Sequence, residues 1–379
     1  MVGAVSERRV ALVAGVSGIA GSALATRLAD EGWDVWGLSR GRTSVPAGVR
    51  AVQADLEDRA QLLDVLAGIG PTHVFHTAWK RHATEAENIA VNGAMVRNLL
   101  AAAASAGTVR HAALLTGLKH YIGAPDDQGR IETPDTPFTE DMPRRPVQQF
   151  YYAQEDELFA AADRYGFTWS VHRAHTIVGH AVGNAMNMGL TLAVQAAVCR
   201  EEGRPFIFPG SQVRWEGLGD MTDAGLLAEH MLWATTNPQA ANEAYNVVNG
   251  DVFRWRTMWP KIAAMLGAEP IGYEDRPRPL REQMLDAAPA WRRIAERHQL
   301  VEPDVDRVAS WWHTDGDLGR GMEMLADMSK SRLAGFTGYV RTEDSFRRLF
   351  QQYRVGRVIP PLGDDVAVDR AQMPKELSA

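Results

Sequence analysis

The sequence predicts an α/β protein: a doubly wound parallel sheet, followed by a smaller, mostly helical region toward the C-terminus. Three observations predict it. An apolar β-type run at residues 10–13 feeds directly into Gly15, Gly18 and Gly21. Helical periodicity follows at once, with Ile19, Ala23, Leu24 and Leu28 on one face at three- and four-residue steps. Short apolar runs and helical segments then alternate as far as residue 180, the pattern of parallel strands joined by right-handed crossovers.

Each glycine has a task in the first turn. Gly15 permits the tight bend, Gly18 lets a pyrophosphate approach bare backbone, and Gly21 lets the helix pack closely on the strand. The free amides and positive dipole end of the helix then face phosphate oxygens. With a strand before and a helix after, this reads as a Rossmann-type dinucleotide turn in which Ser17 and Ile19 join the glycines; the alternative is a glycine-rich βα turn with no ligand.

Strand two, at 34–38, runs into Ser39, Arg40, Gly41 and Arg42. Sites for NAD place an acid there to hold the ribose hydroxyl. An arginine beside a serine hydroxyl suits a 2′-phosphate instead, so NADPH is the expected cofactor. Arg40 is the first candidate and Arg42 the second; the alternative is a pair of solvated turn arginines. Strand three, at 50–54, closes in Asp55 and Leu56, where a carboxylate reaches toward the adenine. Strand four, at 73–77, ends in Thr77, Ala78 and Trp79, where the middle of the cofactor crosses. A helix is expected over 85–106 and strand five over 110–116, ending in Thr116. The stretch 124–146 reads as a long functional loop. A helix opens at Phe150, and strand six, 168–173, leads past Ile177. The expected organisation is a dinucleotide-binding domain at 1–180, with a strand returning near 243–248, a substrate-binding region at 181–360 and an extended tail at 361–379.

Bulk properties exclude several function classes. A net charge of −7 over 379 residues argues against a nucleic-acid or anionic-membrane surface. Cys199 is the only cysteine, so the chain cannot close an internal disulfide or build a cysteine metal cluster. No stretch reaches the length of a membrane span. The expectation is a cytoplasmic protein with no metal, acting on a small molecule.

Ligands of such sheets lie beyond the carboxyl ends of the strands, which puts residues 116–123 in the crevice. A nicotinamide there needs a partner group to stabilise negative charge on a substrate oxygen. The usual device is a tyrosine with a lysine four residues later on one helix. Tyr151 and Tyr152 stand at the right place, but Glu155 and Asp156 follow them instead of lysine. Lys119, just past strand five, supplies a cation from another direction. A nearby ammonium favours the phenolate of a tyrosine whose pKa starts at about 10. His120 and His175 lie close by and read as hydrogen-bonded structural residues rather than as acids or bases.

A set of motifs spreads over nearly the whole chain: GVSGIAG at 15–21, Ser39–Arg40, ADLED at 54–58, THVFHTAW at 72–79, TGLKHYIG at 116–123 and PFTEDMPR at 137–144. FYYAQED at 150–156, TWSVHR at 168–173, MNMG at 186–189, RWEG at 214–217, NEAYNVVNGDVFRW at 242–255 and SWWHTDGDLG at 310–319 continue it. With them the chain resembles the progesterone 5β-reductase/iridoid synthase-like enone reductases, an extended branch of the short-chain dehydrogenases/reductases. The resemblance implies a catalytic Lys119 and Tyr151, with Tyr151, Thr116 and Ile177 beside the cofactor. It implies a pocket for an apolar enone or enal lined by Trp79, Tyr121, Tyr152, Met186, Trp312 and His313, and a homodimer. The chain also departs from the family's pattern. Ala174 stands where proline is usual, which loosens that turn, Ala124–Pro125 replaces a proline–aromatic pair, and His313 replaces an aromatic. Losing two aromatics implies a wider or more polar pocket. The competing readings are an NADPH-dependent carbonyl reductase and a non-catalytic NADP sensor. The sensor reading is disfavoured by the retained tyrosine and lysine. A sugar-nucleotide epimerase is disfavoured by the missing adjacent lysine.

Overall fold

The computed structural model describes residues 8–41, 44–123 and 131–362. Strands β1 (Val10–Ala14), β2 (Asp34–Ser39), β3 (Val49–Gln53), β4 (His73–His76), β5 (His111–Gly117) and β6 (Thr168–Ala174) open the chain. Helices α1 (Ile19–Asp30), α2 (Arg59–Leu66), α3 (Glu85–Ala104), α4 (Lys119–Ile122) and α5 (Phe150–Tyr165) lie between them. Then come β7 (Ile177–Val178), α6 (Met188–Glu201), β8 (Phe206–Ile207), α7 (Gln212–Glu216), β9 (Thr222–Asp223), α8 (Ala224–Thr236), β10 (Glu243–Val247) and α9 (Trp255–Leu266).

The chain divides into two units. The first takes the described residues up to His175, with Ala224–Val248 and Ala326–Gly338. Its sheet runs β10-β6-β5-β4-β1-β2-β3, parallel at every pairing. This is the doubly wound sheet the alternation predicts. The chain winds outward from β1 to β3, then restarts at β4 on the other side of β1, which makes the β1/β4 boundary the switch point. The register aligns the carboxyl ends there: Ala14 pairs with both Leu38 and His76, and Gly117 with Ala174. Under one face, Leu12, Val74, Leu114 and Val171 pack against Leu62, Met95, Leu99 and Leu158. Each such side chain contributes about 1.5–3 kcal/mol when fully buried.

Local chemistry sets the helix starts. Thr84 and Glu87 close a capping box on α3, with Glu87 N–H donating to Thr84 Oγ1 at 3.2 Å and Thr84 N–H to Glu87 Oε2 at 3.1 Å. Asp58 caps α2 by accepting from Gln61 N–H at 3.0 Å. No side chain caps α1 at Gly18. Boundaries differ from the sequence expectation by a residue or two. β5 begins at His111 and extends through Gly117, because pairing with β6 continues to Ala174. The helix expected to reach 106 ends at Ala104.

A buried polar chain crosses β5, β6 and α8, and its hydrogen-bond directions can be derived. Thr168 Oγ1 donates to the Arg110 carbonyl, so it accepts from His111 Nδ1 at 2.9 Å. His111 Nε2 must then accept from Ser170 Oγ, and Ser170 in turn accepts from His172 Nε2, both at 2.9 Å. That leaves His172 Nδ1 as acceptor for His230 Nδ1 at 3.0 Å. All three imidazoles are neutral. Burial lowers His111 and His230 to about 3, and burial also holds His172 well below its ordinary range.

The second unit comprises Thr176–Asp223, Asn249–Leu325 and the described residues from Tyr339 onward. It is mostly helical. Its core holds Leu192, Phe206, Trp255, Trp259, Trp291 and Phe350. The tryptophans of this half therefore divide: Trp255, Trp259 and Trp291 are core, whereas Trp312 is 44% exposed. The expected tail at 361–379 lies outside the described residues from 363 onward.

Candidate active site

The glycine turn is built as its residue types require. Gly15 has φ +88°, and a Cβ there would come within 2.9 Å of Thr77 Oγ1 and the Ala78 amide nitrogen. A Cβ on Gly21 would overlap the Gly15 carbonyl. Thr77 Oγ1 donates to the Ala14 carbonyl at 2.8 Å, tying the ends of β1 and β4 together around the turn. Ser17 is exposed, and among the described residues α1 has no side-chain cap at Gly18. At the end of β2, Arg40 is exposed, and Ser39 Oγ donates to the Gly41 carbonyl at 2.9 Å. Asp55 is half-buried and accepts from Glu57 N–H at 3.0 Å, with Leu56 buried beside it. Arg42 lies outside the described residues. The hydroxyl of Thr116, which is 3% exposed at the end of β5, has no hydrogen-bond partner among the described residues. An uncapped helix start, a glycine cradle and a buried hydroxyl awaiting a partner fit a bound dinucleotide.

Phe150 gathers the residues expected to do chemistry. Its ring stacks on Trp79 at 5.8 Å and lies 4.2 Å from that of Tyr151, and Lys119 Nζ stands 5.7 Å from its centroid. Its N–H donates to Glu85 Oε1 at 2.8 Å, which fixes the start of α5 against α3. Tyr151 and Lys119 are both half-buried. The Tyr151 hydroxyl reaches the end of β5 because Gly117 has no side chain; a Cβ there would sit 3.1 Å from that oxygen.

The neighbouring tyrosines are used differently. Tyr152 OH donates to the His120 carbonyl at 2.6 Å and accepts from Arg145 N–H at 2.9 Å. Tyr121, 1% exposed, donates to Asn246 Oδ1 at 2.6 Å and accepts from Arg173 Nη1 at 3.2 Å. Burial pushes its phenol up to about 12. Both hydroxyls, expected in the pocket, are engaged within the protein. Tyr121 also borders a cavity of about 160 Å³ with Pro134, Met142, Pro143 and Arg145.

Sequence matching places residues 11–248 in the NAD dependent epimerase/dehydratase family. This chain belongs to that family. It is 38% identical over 366 residues to an (S)-8-oxocitronellyl enol synthase of Nepeta racemosa, which covers 93% of each chain. It is 38% identical over 372 residues to a 3-oxo-Delta(4,5)-steroid 5-beta-reductase of Arabidopsis thaliana, covering 94% of each. The UDP-glucose 4-epimerase of Thermus thermophilus, solved with NAD, matches with TM-score 0.64 and 20% identity over 91% of this chain and 99% of that one. The enzyme from Thermotoga maritima, solved with UDP-glucose, gives 0.66 and 16% over the same shares. These two structural likenesses speak to the fold.

Within this epimerase/dehydratase-family chain, the position four residues after Tyr151 carries a buried carboxylate. Glu155 is 1% exposed. Arg144 Nη2 lies 2.9 Å from its Oε2, while His120 Nδ1 and Arg173 Nη2 lie 3.3 and 3.5 Å from its Oε1. Burial alone would raise its pKa; the contacts with His120 and Arg173 outweigh that and hold it below the ordinary carboxylate range. Burial is the main cause that lowers His120, against the raising effect of Glu155. The sequence shows a carboxylate here where lysine is usual, but not what surrounds it. The partners come from β6 and from the loop before α5, which local pattern does not reveal. The packing role of Phe150 is not visible in the sequence, and Thr84 was not singled out although T-x-x-E at 84–87 is a readable capping signal.

The remaining family positions lie in the second unit. Ile177 is half-buried in β7, which pairs with β9, and Met186 is half-buried. His313 Nε2 stands 4.0 Å from Asp317 Oδ2; that carboxylate also accepts from Thr176 Oγ1 at 2.6 Å and from Arg320 Nη2 at 2.7 Å. Ala174, expected to loosen a turn, is the last residue of β6 and pairs with Gly117 and Val247 on either side. Ala124–Pro125 lies outside the described residues.

Proposed function

We propose that this chain uses NADPH to reduce the activated C=C bond of a small α,β-unsaturated carbonyl compound. The bound dinucleotide supplies a hydride to the β-carbon. Tyr151 donates a hydrogen bond to the carbonyl oxygen, where the electron pair displaced from the double bond collects as an enolate. Lys119 polarises the phenol, and a solvent proton completes the α-carbon. One oxyanion donor of this kind is worth roughly a hundred- to a thousandfold in rate.

The observation that carries this reading is the exchange of charges around Tyr151. The amine arrives on α4, at the end of β5, and the helix position that usually bears it holds Glu155. The names and coverage of the two curated relatives support the same chemistry. Arg40 supports NADPH over NADH. A cytoplasmic homodimer belongs to the proposal. The single buried cysteine suits a reducing compartment, and no helix of the described residues is long and apolar enough to cross a membrane.

The test follows NADPH oxidation with 2-cyclohexenone and, separately, cyclohexanone. Consumption with the enone and formation of the saturated ketone is the expected result. Consumption with cyclohexanone alone makes the chain a carbonyl reductase. Binding of NADPH without turnover of either compound favours a sensor.

A further inference from the structure

We propose that Glu155 is a positioning residue for Lys119: its carboxylate clamps the His120 ring, and with it the short helical turn that presents the lysine. The proposal rests on the enone-reductase reading for what Lys119 does, but the clamp itself is a matter of geometry.

Two hydrogen bonds and one close polar contact converge on α4 from the start of α5 and the residue before it. Gln149 Nε2 donates to the Lys119 carbonyl at 3.0 Å, and Tyr152 OH donates to the His120 carbonyl at 2.6 Å. Glu155 Oε1 faces His120 Nδ1 at 3.3 Å. The first two hold the backbone oxygens of Lys119 and His120. The third sets a buried carboxylate against the side chain next to Lys119. Glu155 is itself fixed by Arg144, which spans Glu155 at 2.9 Å and Asp156 at 2.7 Å, and by Arg173 from β6. Arg173 also reaches Tyr121 OH, so the last residues of α4 are anchored by the same guanidinium. A four-residue helix has little stability of its own, so these outside contacts set its position. A lysine at 155 would place an ammonium among two guanidinium groups and an imidazole. The site is therefore built for a carboxylate there, and the amine must come from elsewhere.

Glu155→Gln keeps shape and removes charge. Its kcat with 2-cyclohexenone is expected to fall about tenfold, with the NADPH Kd within twofold of wild type. In a Lys119→Met background the same substitution is expected to change kcat less than twofold, since a group that acts through Lys119 has nothing left to position. An equal loss in both backgrounds, or no loss in the wild type, overturns the proposal. Glu155→Asp takes its place under the same criterion if the glutamine variant does not fold. Amide hydrogen exchange needs no substrate and separates the two readings. Amides of 119–122 are expected to exchange at least fivefold faster in Glu155→Gln, with those of β5 unchanged. Unchanged exchange at 119–122 overturns the clamp, whatever the enzyme reduces. A wild type inert toward enones overturns the functional reading alone.

Discussion

Tyr151 differs from Tyr121 and Tyr152 in what its oxygen meets. The hydroxyls of Tyr121 and Tyr152 donate to Asn246 Oδ1 and the His120 carbonyl, and that of Tyr151 lies beside Gly117 at the end of β5. Tyr151→Phe is therefore expected to lose roughly a hundredfold in kcat while NADPH binds as before, measured by steady-state kinetics and fluorescence titration. Gly117→Ala moves the same oxygen without removing it. The added Cβ would stand 3.1 Å from the phenol and from the Ala174 carbonyl, so the ring end must shift by a few tenths of an ångström. A fall in kcat of about tenfold with an unchanged KM for NADPH is expected; wild-type turnover would mean that the phenol tolerates the shift. Arg40 is tested by Arg40→Glu. Loss of a charge-assisted bond to the 2′-phosphate is worth about 1.5–3 kcal/mol, so the ratio of Kd for NADH to that for NADPH should fall by roughly ten- to a hundredfold or more.

At the level of elements, the repeating pattern of strands and helices was readable because each buries one side against the sheet and so carries its own periodicity. β1, β2, β6 and β10 lie within a residue of where apolar runs and turn residues put them. What could not be read is where an element depends on distant partners. Residues 119–122 have no helical periodicity long enough to register, and α4 exists because Gln149, Tyr152 and Glu155 hold it. Glu155 was legible only as an anomaly, since its meaning lies in Arg173, 18 residues away on strand β6. The α3 start makes a cleaner case. Thr84→Ala removes one half of a reciprocal cap, which should cost about 1 kcal/mol and lower the melting midpoint by about 2–4 °C, read by differential scanning calorimetry.

The first unit as a whole carries several histidines that are neutral because they are buried. His76 is lowered to about 4 and His111 and His230 to about 3 by burial, against an ordinary value of 6.5, and His172 is held well below that value by the same cause. Below pH 6.5 the unfolded chain takes up protons that the native fold refuses. Stability is thus full above about pH 6.5 and is lost as pH falls toward 4, by up to about 1.4 kcal/mol per pH unit for each histidine. The urea midpoint should drop steeply between pH 6.5 and 5, and a flat profile there would contradict the neutral chain. The bare start of α1 has a different consequence. A helix start with no side-chain cap at its N-terminus gains from an anion bound there. By mass action, a dinucleotide at a hundred times its Kd adds about 2.7 kcal/mol. The melting temperature should therefore climb with each addition of nucleotide, and the steeper of two titrations, with or without the 2′-phosphate, would rank the natural cofactor before any substrate is known.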